Sequence, residues 1–153
     1  MDLVFRETLQ SDIEALFSVR ARTRESAISK EGLASIGVTP ESIAKQMASG
    51  RLKGWVCLHG STLIGFCNGD GETGEVTVLA VLPEYERRGI GSSLLSRVVE
   101  WLCSAGCNTI WLAASPDTRI RAHGFYRSLG WRPNGKTEQN GDEILVLEFS
   151  PLS

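Results

Sequence analysis

No apolar run in this sequence approaches the roughly 20 residues that a membrane-spanning helix needs. The opening stretch, MDLVFRETLQSDIE, has no basic segment followed by an apolar core, so no secretory signal is read there. Cysteine is sparse, with four residues (Cys57, Cys67, Cys103 and Cys107) and no CxxC pair. The two histidines, His59 and His123, stand outside finger-like spacing of any cysteine pair, so neither a structural zinc nor any other metal is expected. The cysteines read as small buried hydrophobes in a reducing compartment, and the expected location is the cytoplasm. Charge of one sign is also lacking, because 16 Lys plus Arg against 18 Asp plus Glu leave a net charge of -2. A domain that coats nucleic acid or an anionic membrane is usually far more basic, so neither partner is expected.

What is present is one domain's worth of chain: 153 residues, 42% apolar and 22% charged, without repeat, low-complexity segment or linker. Such a chain buries about 68–70% of the surface its unfolded form exposes and needs no covalent staple. A strand is expected over Leu3 to Glu7. Ser11 and Glu14 have the S-x-x-E capping form ahead of a helix from about Asp12 to Arg22. The polar stretch from Thr23 to Val38 has room for a short irregular helix. Thr39, Pro40 and Gly50 bracket another helix, as N-cap, first turn and exit. Gly54 to Leu58, Leu63 to Gly69 and Glu75 to Leu82 read as an antiparallel meander, because only short turns separate them. The last, EVTVLAVL, is nearly apolar throughout and reads as a central strand covered on both faces. A helix over Ile90 to Ala105 closes on Gly106. A strand over Asn108 to Ala113, a helix over Arg121 to Leu129 closed by Gly130, and a strand over Ile144 to Phe149 complete the order. The whole is an α/β three-layer domain over residues 1–153, with a mixed, mostly antiparallel central sheet.

The most informative stretch is VLAVLPEYERRGIGSSLL, Val78 to Leu95. A buried strand ends at Pro83, and Arg87-Arg88-Gly89-Ile90-Gly91-Ser92 then opens an amphipathic helix. Helix N-termini present unsatisfied N–H groups and a partial positive charge, which suit phosphate. Gly89 and Gly91 remove side chains that would block close backbone approach. Arg87 and Arg88 add flanking cations. The segment is not a Rossmann fingerprint, since Leu94 holds the third glycine's place, and no GK[ST] ending makes it a Walker loop.

This stretch resembles motif A of the GNAT family, the GCN5-related N-acetyltransferases: a strand, then [RQ]-x-x-G-x-[GA] opening a helix. RIRAHGFYRSLGW, Arg119 to Trp131, is similar to the family's next element, N-x-x-A-x-x-F-Y-x-x-x-G-[FW], with Ala122, Phe125, Tyr126, Gly130 and Trp131 in register. The resemblance runs from Val4 to Phe149 and implies a small single-domain acetyltransferase. It implies a sheet splayed between Glu75–Leu82 and Asn108–Ala113, with acetyl-CoA as co-substrate in the gap. Leu79, Ala80 and Val81 would pair with the pantetheine arm, and the backbone of Arg87, Arg88, Gly89, Ile90, Gly91 and Ser92 would cradle the pyrophosphate. Two departures stand out. Glu86 holds the place of Arg or Gln and is expected to point away from the phosphates. Arg119 replaces the family's Asn, and it either reaches the cofactor or forfeits that contact.

The resemblance also makes Tyr126 a cofactor contact and the general acid, and Glu75 the favoured base, with Asp70 and Glu72 as rivals; no base is needed if the amine arrives partly neutral and loses its proton through ordered water. Direct attack by an amine in a ternary complex is expected. The alternatives are a catalytically silent acyl-CoA-binding or sensing module and an interaction domain using the fold alone. The acceptor, a small-molecule or peptide amine, stays open between two clusters. Arg20, Arg22 and Arg24 suit a carboxylate-bearing amine, and Asp70, Glu72 and Glu75 suit a polyamine or aminoglycoside. Homodimers are common in the family, and nothing in the residues decides that here.

Overall fold

The computed structural model describes residues 2–23 and 27–147; Arg24 and Phe149 lie outside these. Seven strands form one open sheet in the order β1-β2-β3-β4-β5-β7-β6. β1 (Leu3–Glu7), β2 (Leu52–His59), β3 (Thr62–Asp70) and β4 (Glu75–Val81) pair antiparallel in sequence order, which is the expected meander. β5 (Trp111–Ala114) joins β4 in parallel, and β7 (Glu143–Leu147) lies between β5 and the edge strand β6 (Trp131–Thr137). The expected strand over Asn108 to Ala113 thus begins three residues late. β6 has no counterpart among the expected strands: only Trp131 of its seven residues is buried, so it has no alternating apolar face.

The helices are α1 (Ile13–Ala21), α2 (Lys30–Ala34), α3 (Pro40–Ala48), α4 (Ile90–Ser104) and α5 (Arg121–Ser128). α4 packs on β2, β3 and β4, while α1 packs on β3 and β4. Ile90, Leu94, Leu95, Val98 and Leu102 of α4 are buried, which is the face that helical periodicity selects. β3 accepts this helix closely because it carries glycine: a Cβ on Gly69 would stand 2.6 Å from Val98 Cγ1. α1, α2 and α3 form a second small core around Ile13, Phe17 and Leu33. Among the described residues, no helix is long and apolar enough to cross a membrane.

Helix ends mostly follow the local chemistry. Thr39 and Ser42 cap α3 reciprocally, each side chain accepting from the other's N–H at 3.0 and 2.9 Å. α4 ends in a Schellman arrangement, with Gly106 at φ +91 and the Cys107 N–H donating to Leu102 C=O at 3.1 Å. The start of α1 differs from expectation. Asp12, not Ser11, holds the turn: its carboxylate accepts from the Leu9 N–H at 2.7 Å and from both ends of the Arg6 fork. A strand residue outside the motif, Arg6, therefore helps hold Asp12 in the 3-10 turn that leads into α1, which itself has no side-chain cap. Cys57 and Cys67 are buried as expected, but Cys103 is exposed on the polar face of α4 and Cys107 is half-exposed.

Candidate active site

β4 and β5 are in register at a single pair, Glu75 with Trp111. Beyond it the two strands part, and a cavity of about 680 Å³ opens against β4. The splay has local causes on both strands. β4 carries one extra residue, Thr77, where the register against β3 slips between Asn68 and Gly69, and such a bulge bends its strand. β5 is held instead to β7 at Leu112, Ala113 and Ala114. The Trp111 indole N–H donates to Thr73 C=O at 3.1 Å and pins the closed end. The residues of β4 are therefore not covered on both faces as expected. Only Val76 and Ala80 are buried, while Val78, Leu79 and Val81 are half-buried and wall the cavity.

At the other end, β4 runs through a 3-10 turn (Pro83–Tyr85) into α4. Arg87 takes φ +64 and Gly89 φ +77. Left-handed geometry at a non-glycine residue is costly, so its retention at Arg87 marks a loop whose shape is over-determined by its surroundings. Gly89 precedes α4 without any side-chain cap, and the first helical bond is from Ser93 N–H to Gly89 C=O at 3.0 Å. The N–H groups of Ile90, Gly91 and Ser92 consequently have no partner within the helix, and these residues line the cavity. A Cβ on Gly91 would stand 3.5 Å from Phe125 Cζ, so the bare glycine keeps a channel between α4 and α5.

Tyr126 projects from α5 into the same cavity. Phe125 packs edge-on against it at 5.2 Å and Trp131 at 6.1 Å, measured between ring centroids. Burial, with the Cys67 thiol beside it as a lesser cause, pushes the phenol pKa above its ordinary value. The hydroxyl thus stays protonated across the neutral range, as a proton donor must. α5 is anchored from behind by Arg127, which donates to Glu143 Oε1 at 2.8 Å.

The cavity gathers Leu79, Ala80, Val81, Arg87, Gly89, Ile90, Gly91, Ser92 and Tyr126 from the expected site. Arg88 is not among its lining residues; its guanidinium sits over the Tyr85 ring at 6.0 Å. Arg119 also stays out. Its fork grips Asp117 at 3.0 and 2.8 Å, the side chain is 87% exposed, and that grip lowers the Asp117 pKa to about 2. Glu86 does not point away: it lines the cavity and pairs with Arg121 at 3.3 Å, bridging the loop to the start of α5. The wall also includes Tyr85, Thr77, Ser115 and Asp142, which sequence motifs did not mark.

Glu75 sits at the closed end of the splay and is not part of the cavity wall. Burial, then the charges of Glu138 and Asp70, raise its carboxyl pKa above the ordinary 4.5. The folded protein therefore binds this proton more tightly than the unfolded chain does. Its contribution to stability is full at low pH and is lost as pH rises through the ordinary value toward the raised one. Glu75→Gln should raise Tm near neutral pH and lose that advantage below about pH 4, where both forms are neutral. Thermal denaturation across pH checks this. The rivals Asp70 and Glu72 are occupied elsewhere. Arg51 pairs with Asp70 at 2.9 Å and with Glu72 at 2.8 Å, and neither acid lines the cavity. Burial works against the Asp70 charge, but the Arg51 fork and the Glu72 and Thr73 N–H groups outweigh it and lower its pKa. Among the described residues, no group of three His, Cys, Asp or Glu side chains could hold a metal ion.

An open, mostly antiparallel α/β sheet, parted beside an uncapped helix N-terminus, is the class that fold and cavity define. Residues 20–131 match the acetyltransferase (GNAT) family, and the chain belongs to it. The [ribosomal protein bS18]-alanine N-acetyltransferase of Escherichia coli (strain K12) is 31% identical over 80 residues, which are 49% of this chain and 53% of that protein. The match therefore spans about half the length of this curated relative. The same fold occurs in the PaiA N-acetyltransferase from Thermoplasma acidophilum in complex with coenzyme A, with TM-score 0.79, 21% identity and coverage of 97% and 100% of the two chains. It also occurs in the ribosomal-protein-S18-alanine N-acetyltransferase from Escherichia coli, with TM-score 0.65, 22% identity and coverage of 95% and 93%.

Proposed function

We propose that this protein transfers the acetyl group of acetyl-CoA to a primary amine of a small molecule or peptide, by direct attack in a ternary complex. The observation that carries the reading is the single-pair contact of β4 with β5 beside the uncapped start of α4. It leaves an extended gap that ends on N–H donors with no partner within the helix. The residues fit the co-substrate. The backbone from Arg87 to Ser92 suits a pyrophosphate, and the β4 edge at Leu79, Ala80 and Val81 suits an amide-bearing arm laid alongside as an added strand.

Acetyl-CoA supplies an activated thioester whose carbonyl carbon accepts the amine nitrogen while the carbon–sulfur bond breaks. Tyr126 gives its hydroxyl proton to the departing sulfur and regains one from water, the raised pKa favouring the return to the protonated phenol. The proton lost by the amine passes to water, or to Glu75 through water, because Glu75 does not reach the cavity wall directly. No cysteine needs to carry the acyl group. Cys67 is fully buried, and burial raises its thiol pKa far above the reactive range. The test is an acceptor screen that detects the free thiol of released CoA, alongside melting curves with acetyl-CoA. A saturable Tm rise and thiol release with at least one amine are expected. A Tm rise with no release from any amine would overturn transfer and leave a binding module, and an acetylated cysteine found by mass spectrometry would overturn direct attack.

A further inference from the structure

Of the two clusters that could select an acceptor, only one has a member in the cavity. Arg20, at the C-terminal end of α1, lines it together with Thr23 and Ile28. Arg22 is exposed to solvent. The acidic alternative is spent elsewhere, with Asp70 and Glu72 on Arg51 and Glu75 at the closed end of the splay.

Arg20 is half-buried and makes no side-chain hydrogen bond or ion pair among the described residues. The other charges of the wall are placed differently: Arg121 with Glu86, Asp142 with Asn140, and Arg87 in the loop before α4. A guanidinium withdrawn from water without an anion is unfavourable, and cavities that retain one are usually completed by a ligand's carboxylate or phosphate. On the acetyl-transfer reading, Arg87 and the α4 N-terminus serve the co-substrate's phosphates at the loop. Arg20 comes from a different element, α1, which packs on β3 and β4.

We propose that Arg20 reads a carboxylate on the acceptor, so that the substrate class is an amine that also bears a carboxylate, as in an amino acid or an acidic peptide. This rests on the acetyl-transfer reading. The flat, forked guanidinium can grip both carboxylate oxygens, which fixes the distance from that group to the reacting amine. Amines without the carboxylate leave Arg20 unpaired in the filled cavity and are selected against.

The test uses matched acceptors, amino acids and acidic dipeptides against their amides, with spermidine as a cationic comparison. The carboxylate member of each pair should have a kcat/KM about tenfold or more above its amide, in line with a charge-assisted bidentate contact. Arg20→Gln should bring that ratio near one and Arg20→Lys should restore part of it, while Kd for acetyl-CoA stays unchanged. A preference for spermidine or for the amides overturns the proposal. So does a loss of acetyl-CoA affinity in Arg20→Gln, which would assign Arg20 to the co-substrate. Binding is read separately in CoA-loaded Tyr126→Phe protein, where the carboxylate probes should raise Tm and Arg20→Gln should abolish the rise. No rise, or one that survives Arg20→Gln, overturns the proposal even when transfer succeeds. A rise lost in Arg20→Gln without turnover of any acceptor by the unmutated protein sustains it and sinks the transfer reading instead.

Discussion

Tyr126→Phe should lower kcat by about 10²–10⁴-fold, the usual contribution of a positioned general acid. In barrier terms that is about 2.7–5.4 kcal/mol. The substitution removes one oxygen and leaves the ring, so the edge-on packing against Phe125 and Trp131 remains. Kd for acetyl-CoA should hardly change, because the proposed phosphate and pantetheine contacts lie on the α4 loop and β4. Stopped-flow or steady-state assays with free-thiol detection, beside a binding titration, separate the two quantities. The pH profile adds a second readout. Since burial raises the phenol pKa, the donor stays protonated through the neutral and mildly alkaline range. The unmutated enzyme should therefore show no fall in kcat below about pH 10 that belongs to this group. Unaltered turnover in Tyr126→Phe would remove the residue from the chemistry and leave it as a packing aromatic.

Where sequence and structure agree, the signal came from residues whose local chemistry leaves few alternatives. Gly89 and Gly91 bracket the first residue of an amphipathic helix, and only a tight strand-to-helix turn places them that way. The short turns between β2, β3 and β4 leave neighbouring strands little choice but to pair antiparallel. Where the two differ, a partner distant in sequence or a competing neighbour decided the outcome. Ser11 and Glu14 form a plausible cap, but Arg6 on β1 holds Asp12 in place at 2.8 Å and that acid takes the turn. Arg119 has the register of a ligand-contacting residue, yet Asp117 stands two positions earlier and captures it. β6 is an edge strand with Pro133 and Gly135 inside it and almost no apolar face, so nothing in its pattern separates it from a turn. The orientation of Arg20 was equally illegible. Helical spacing places it on a face of α1, but which face meets the cavity depends on how α1 seats on β3 and β4. The acceptor question, open on sequence grounds, thus turns on tertiary packing.

Two glycines two residues apart should fail in opposite ways, and the contrast separates fold from site. Gly91 lies in the first turn of α4, where an added Cβ makes only ordinary contacts, at 3.5 Å from Phe125 Cζ and 3.9 Å from Leu79 Cδ2. A side chain there is compatible with the helix, and replacing glycine gains up to about 1 kcal/mol of helix propensity. Gly91→Leu should therefore leave Tm unchanged or higher. Its branched end would occupy the channel between α4 and α5, so Kd for acetyl-CoA should rise by roughly 10–100-fold, equivalent to about 1.4–2.8 kcal/mol. Gly91→Ala should show a smaller loss. Gly89 behaves differently because its φ is +77, while a Cβ built on it meets nothing within 4 Å. Gly89→Ala should cost about 1–2 kcal/mol of stability from the left-handed conformation alone. Urea unfolding and isothermal titration on the same variants read both quantities. A Gly91→Leu protein that binds acetyl-CoA normally would mean that the start of α4 is not the phosphate cradle, whatever the fold around it.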